Sequence, residues 1–187
     1  IYLSGLSTGR IVFFILIGLL AIWSAIRYTL GSGAYGYRAM GDLFVFLFFG
    51  FVGVLGTYYL QSHRFDIIHL LPACTCGCFA VSVLNINNIR DIHSDSVAGK
   101  KTLAVVLGPI KSRIYQGFMM FLGILLAALY VYLIGGRFYF LIVLPFFGAI
   151  FYKVWTFESA EKLNPLIRDM SLASLGFVFF FGIGLIS

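Results

Sequence analysis

From Asn85 to Asp95 the sequence reads Asn-Ile-Asn-Asn-Ile-Arg-Asp-Ile-His-Ser-Asp, and Ser96-Val97-Ala98-Gly99-Lys100-Lys101-Thr102 follows. Three asparagines, an arginine and two aspartates fall within eleven residues of a chain that is otherwise mostly hydrocarbon. On a helix, Asn88, Asp91 and Asp95 stand at i, i+3 and i+7 and share one face. Two carboxylates one turn apart repel each other unless a cation lies between them. Mg²⁺ suits such a pair, because it takes oxygen ligands and typically bridges one or two carboxylates to substrate phosphates. Arg90, Lys100 and Lys101 add the positive charge that a phosphate also attracts. The pattern points to metal-assisted handling of a phosphorylated substrate. The competing reading is a solvated loop between membrane helices, but ionisable groups at membrane depth favour a functional site.

The elements that must position these residues are set by composition. The chain has 187 residues, 61% of them hydrophobic and only 11% charged, with a mean hydropathy of +1.01. Soluble domains are about 45–50% apolar, so this is an all-α, polytopic helical membrane protein. Long apolar runs, in place of short alternating segments, exclude a β-barrel. The 21 phenylalanines suit lipid-facing surfaces. The net charge of +6 does not signal nucleic-acid binding, because basic loops on one side of a bilayer produce the same excess. Cys74, Cys76 and Cys78 alternate within an apolar run, which is poor geometry for one metal and reads as inert buried thiols.

Six apolar runs span a bilayer, at about 11–30, 42–60, 67–85, 114–134, 138–156 and 170–187. Pro72 is expected to kink the third, Pro145 lies inside the fifth, and residues 157–169 read as a charged loop. The glycine-rich stretch Gly31-Ser32-Gly33-Ala34-Tyr35-Gly36 matches G-x-G-x-x-G, but without a β-α-β unit it is a turn and not a dinucleotide site. The polar motif closes the third span, and Gly99 is the expected stop. With six spans, Arg27, Arg38, Arg90, Lys100, Lys101, Lys111, Arg113, Lys153, Lys162 and Arg168 share one side, and Arg10, Arg64 and Arg137 the other. That asymmetry places the motif loop on the cytoplasmic face of the inner membrane of a multi-pass protein.

Asn87-Asn88-Ile89-Arg90-Asp91-Ile92, then Asp95, then Gly99-Lys100 and Thr102-Leu103, resembles the second aspartate-rich motif of the UbiA superfamily of intramembrane prenyltransferases. Tyr35-Gly36-Tyr37, Gly41-Asp42, Phe48-Phe49-Gly50 and Tyr59-Leu60-Gln61 resemble family segments in the same order, closest to the menaquinone-pathway branch. The resemblance implies a UbiA-type bundle in which residues 1–187 form a single transmembrane prenyltransferase domain. It holds six of the nine expected helices, and lacks the N-terminal helices that bear the first aspartate motif.

The implied reaction moves a polyprenyl group from polyprenyl diphosphate to 1,4-dihydroxy-2-naphthoate. Carbon dioxide and diphosphate leave, and the prenylated hydroquinone becomes demethylmenaquinone on oxidation. The implied roles are Mg²⁺ on Asp91 and Asp95, and phosphate oxygens on Asn88, Arg90 and Lys100. Tyr58 or Tyr59 would face the allylic cation, with a place in the interfacial aromatic belt as the alternative for both. Gln61 and His63 stand where some relatives carry a lysine beyond the tyrosine, so that lysine's role has no counterpart here. His93 reads as an off-face bystander. Other acceptors, such as 4-hydroxybenzoate or a haem or chlorophyll precursor, fit the same motif. A cation-coupled transporter is the reading from another class, and predicts cation flux without diphosphate binding.

Overall fold

The computed structural model describes residues 7–29 and 38–187. The glycine-rich match at Gly31–Gly36 and the Tyr35-Gly36-Tyr37 segment lie outside the described residues. The chain opens with α1 (Thr8–Thr29). Next, α2 (Gly41–Val45), a π-helical segment (Phe46–Leu55) and α3 (Gly56–Ser62) run on as one span. His63, in the left-handed region at φ 56°, ends that span. A 3₁₀ turn (Ile67–His69) leads into α4 (Leu70–Arg90), followed by the short α5 (Ile92–Val97). Then come α6 (Leu103–Ile134), α7 (Leu144–Thr156) and α8 (Asn164–Ile186). Five helical segments are long and apolar enough to cross a membrane: Gly41–Ser62, Ile67–Arg90, Leu103–Ile134, Tyr139–Thr156 and Ala160–Ile186. Helix α1 adds the apolar stretch Thr8–Ser24.

Several local features differ from the sequence expectation, each for a physical reason. Pro72 falls in the first turn of α4, where its missing N–H removes no intrahelical bond, so it has no reason to kink the helix. Pro145 likewise starts α7, after a 3₁₀ turn at Tyr139–Val143. The fourth span begins at Leu103, well before residue 114. Gly108 breaks it at φ 78° and ψ 170°, with Pro109 beside it. The expected loop at 157–169 is largely helical, because Asn164 and Pro165 already start α8. The run Phe46–Leu55 is π-helical, which no periodicity announces in ten consecutive apolar or glycine residues.

Helix α4 is the central post. One face meets α6 through small residues and hydrogen bonds. A Cβ on Gly123 would lie 2.7 Å from the Phe79 ring, so only glycine lets the two backbones come this close. The Thr75 hydroxyl donates to the Gly123 carbonyl at 3.0 Å. Asn85 Nδ2 donates to the Ser112 carbonyl at 3.0 Å and to Gln116 Oε1 at 2.9 Å. A second face meets the π-helical segment, where a Cβ on Gly50 would lie 2.7 Å from the Ala73 carbonyl. A third face packs through aromatics: Phe79 lies 5.0 Å from Phe147 and 4.9 Å from Phe177 between ring centroids, and Phe140 lies 4.7 Å from Phe177. Lipid is as apolar as phenylalanine, so close packing and not escape from water holds this face together.

The spans alternate in direction. The end of α4 therefore shares one end of the bundle with the starts of α2, α6 and α8 and the end of α7. Contacts at that end include Arg90 with Asn164 and Arg113 with the Trp155 carbonyl. At the opposite end, the Arg137 amide donates to the Gly184 carbonyl.

Candidate functional site

The polar motif forms the end of α4, a one-residue break and α5. Asp91 sits in the break at φ −94° and ψ 8°, yet the helical hydrogen-bond path survives it. The Asp91 amide donates to the Asn87 carbonyl at 3.1 Å, and the Asp95 amide to the Asp91 carbonyl at 2.8 Å. Asp91 and Asp95 therefore stay one turn apart. Gly99 then takes φ 70°, a conformation that costs other residues steric strain. It folds the chain back so that the Lys100 amide donates to the Asp95 carbonyl at 2.8 Å. The Lys100 ammonium meets Asp95 Oδ1 at 3.4 Å. Thr102, buried, caps α6 by accepting from the Val105 amide at 3.3 Å.

The two aspartates have different surroundings. Arg90 grips Asp91 with both arms of its guanidinium, Nε to Oδ1 at 2.7 Å and Nη2 to Oδ2 at 2.6 Å. It also donates to Asn87 Oδ1 at 2.8 Å and to Asn164 Oδ1 at 3.0 Å. These Arg90 hydrogen bonds hold the Asp91 carboxyl below its ordinary range. Asp95 keeps a buried Oδ2 with no hydrogen-bond partner. A buried carboxylate oxygen in that state is a coordination position waiting for a donor or a cation.

Asn88 is buried one turn before Asp91 on α4, and His93 is exposed. The structure brings Arg90 to Asp91 and Lys100 to Asp95, and among the described residues no hydrogen bond joins Asn88 to them. It gives Arg90 a task the sequence did not suggest, which is orienting Asp91 and tying α4 to α8 through Asn164. Among the described residues, no group of three or more His, Cys, Asp or Glu is placed to hold a metal. Asp91 and Asp95 are the two carboxylates of the motif itself, and a divalent ion sharing its shell with phosphate oxygens needs one or two.

Tyr58 and Tyr59 lie at the other end of the bundle. Tyr58 packs on His69 with ring centroids 3.9 Å apart, and the Tyr130 hydroxyl stands 3.0 Å from His69 Nδ1. Tyr59 stacks on Phe14 and lies under the Arg10 guanidinium. Since α4 has 21 residues, about 30 Å of helix separates these rings from the aspartates.

Sequence reasoning passed over three features. An apolar cavity of about 610 Å³ begins at Asn87, one turn before Asp91, and runs between the α2–π span, α4 and α8. Val45, Phe49, Phe79, Ser174 and Val178 are among its walls. Asn164 contacts the site from 74 residues further along the chain, and the Asn-Pro helix start was the available signal. Asp42, 6% exposed at the head of α2, also holds an unpartnered buried Oδ2.

The UbiA prenyltransferase family model matches residues 3–181. The chain is 41% identical over 173 residues to a 1,4-dihydroxy-2-naphthoate octaprenyltransferase of Haemophilus influenzae, covering 91% of this chain and 56% of that protein. It is 39% identical over 165 residues to the protein of the same description from Mycobacterium tuberculosis, covering 86% and 55%. To human UbiA prenyltransferase domain-containing protein 1 it is 37% identical over 95 residues, covering 51% and 28%. The chain spans about half the length of the first two relatives. No solved structure gives a significant match. With the family model covering nearly all of its length, this chain belongs to the UbiA prenyltransferase family.

Proposed function

We propose that the chain carries part of the active site of a prenyltransferase that joins a polyprenyl group from polyprenyl diphosphate to 1,4-dihydroxy-2-naphthoate, with loss of carbon dioxide, in menaquinone biosynthesis. The observation that carries this reading is a charged cluster beside an apolar cavity. Asn87 lines the 610 Å³ cavity and accepts from Arg90, which grips Asp91 one turn beyond, and Lys100 pairs with Asp95. A diphosphate on an isoprenoid tail has the same division between charge and hydrocarbon. The named activity of the Haemophilus and Mycobacterium relatives supplies the acceptor.

Asp91 and Asp95 would hold Mg²⁺, and the unpartnered Asp95 Oδ2 fits that role. A bound divalent cation would supply charge neutralisation to the departing diphosphate. The chain's own residues do the rest. Arg90 fixes the direction of Asp91 through two hydrogen bonds. Lys100, folded back by Gly99, places an ammonium beside Asp95, where its remaining donors face phosphate oxygens. Asn88 offers a buried amide to the same group. The α4 and α8 walls exclude water from the tail, and electrostatic stabilisation in a dry site is worth most. The excess of Lys and Arg at this end supports a cytoplasmic-side location at the inner membrane.

The test is formation of the prenylated hydroquinone, read as demethylmenaquinone after oxidation by air, from 1,4-dihydroxy-2-naphthoate and a polyprenyl diphosphate, in membranes of cells lacking their own enzyme and expressing the full-length protein. Product should appear with Mg²⁺ and vanish on chelation. Equal turnover of 4-hydroxybenzoate would refute the acceptor assignment, and turnover in chelator would refute the metal.

A further inference from the structure

On the side of α8 opposite the prenyl cavity, α7 and α8 enclose two adjoining hollows. One is apolar, about 480 Å³, and lies along the membrane-spanning parts of the helices between Val143, Phe146, Ala173, Gly176 and Phe180. The other is polar, about 520 Å³, and lies at the charged end, lined by Thr156, Phe157, Glu158, Lys162 and Pro165. Lys153 and Asp169 line both, so the two hollows adjoin at these side chains. Gly176 leaves the apolar hollow open: a Cβ there would only reach ordinary contact with Val143, at 4.0 Å.

Around the mouth, Lys153, Lys162, Arg168 and Arg113 stand against Glu158, Glu161 and Asp169, four positive groups to three negative. Glu158 is paired with Lys162 at 2.5 Å and Asp169 with Arg168 at 3.0 Å. No ion pair among the described residues engages Lys153. Behind the Phe157 wall, the Arg113 guanidinium lies 4.3 Å from the ring centroid and donates to the Trp155 carbonyl, again with no carboxylate within ion-pair distance among the described residues. The α8 N-terminus, which has no side-chain cap, points its amides toward this end. The mouth thus pairs two neutralised ion pairs with an unneutralised lysine, and stands above a hydrocarbon slot. Basic pockets between membrane helices on the cytoplasmic side select anionic headgroups.

We infer that the α7–α8 groove is a binding site for an anionic glycerophospholipid, one acyl chain lying along Gly176 and the phosphate held by Lys153. The site is separate from the prenyl cavity, because α8 presents Asp169, Leu172, Ala173 and Gly176 here and Ile167, Ser171, Ser174 and Val178 there.

The test uses the full-length protein, purified and exchanged into nanodiscs with equal amounts of phosphatidylglycerol and phosphatidylcholine, with co-released lipid counted by native mass spectrometry. Wild-type protein should retain phosphatidylglycerol about fivefold over phosphatidylcholine, the weight of one basic residue at an anionic surface. Lys153→Gln should bring the two to parity. Gly176→Leu, which fills the slot but leaves the charge, should lose the retained lipid altogether. It is the control if Lys153→Gln fails to fold, as judged by gel filtration. Added inorganic phosphate should not displace the lipid, since it lacks the acyl chain. Parity in wild type, an unchanged preference in Lys153→Gln, full retention in Gly176→Leu or displacement by phosphate would each overturn the assignment. None of these readouts depends on prenyl transfer, so the proposal stands or falls apart from the assigned reaction.

Discussion

The two ends of α4 both carry polar side chains, yet they are built differently. At one end Arg90, Asp91, Asp95 and Lys100 form charged contacts of 2.6 to 3.4 Å around a carboxylate oxygen that has no partner. At the other end Tyr58, His69 and Tyr130 satisfy one another, ring on ring and hydroxyl to imidazole. A completed polar cluster braces helices, whereas an incomplete buried one is a place for a ligand. The difference is the reason for proposing diphosphate chemistry at the first end and anchoring at the second.

The largest effect is expected at the incomplete end. Asp91→Ala and Asp95→Ala should each lower turnover by at least about 100-fold, the scale of losing one electrostatic stabiliser of a transition state. Asp→Asn at either position should be nearly as severe, since shape is kept and charge is lost. Turnover of Asp95→Asn near the wild-type level would remove the reason for treating the unpartnered oxygen as a ligand. Arg90→Gln should be less damaging, about tenfold or more, because Asp91 remains but is no longer oriented. Asn164→Ala, which loosens only the α8 side of the same arginine, should fall below that. The order of these variants, measured as kcat with substrates saturating, is the check.

A smaller effect concerns the scaffold. Gly50→Leu would drive a side chain into the Ala73 carbonyl. It should destabilise by about 1–3 kcal/mol, as overpacking does, read as a lower melting temperature in detergent. Cys74→Ala should be nearly silent in turnover, since Cys74 is a free thiol that does not line the cavity. The smallest effect is expected at the satisfied end, where Tyr58→Phe and Tyr59→Phe keep the rings and should leave turnover within about twofold, a loss of well under 1 kcal/mol.

Much of this was legible in the sequence, and the limits have physical causes. The spans were readable because a bilayer demands about 20 apolar residues in a row. Asp91 and Asp95 were readable because charge inside such a chain is rare. The partners of Arg90 were not, since one of them, Asn164, arrives from a different helix. Tyr58 was drawn toward the reaction by its aromatic ring, and only the turn at His63 shows that it lies an entire helix away from the aspartates. The π-helical run Phe46–Leu55 was invisible because uniformly apolar residues carry no period. The Gly108 break was signalled by the Gly-Pro pair but masked by apolar neighbours on both sides.

The most direct test of the two-ended account is covalent labelling of the full-length protein in membranes by a polyprenyl diphosphate analogue with a photoreactive group next to the diphosphate. Digestion and mass spectrometry then locate the label. The account places it in the segment from Asn85 to Thr102, with competition by unlabelled polyprenyl diphosphate and loss in Asp95→Ala. Label concentrated between Gly56 and His69 would contradict it.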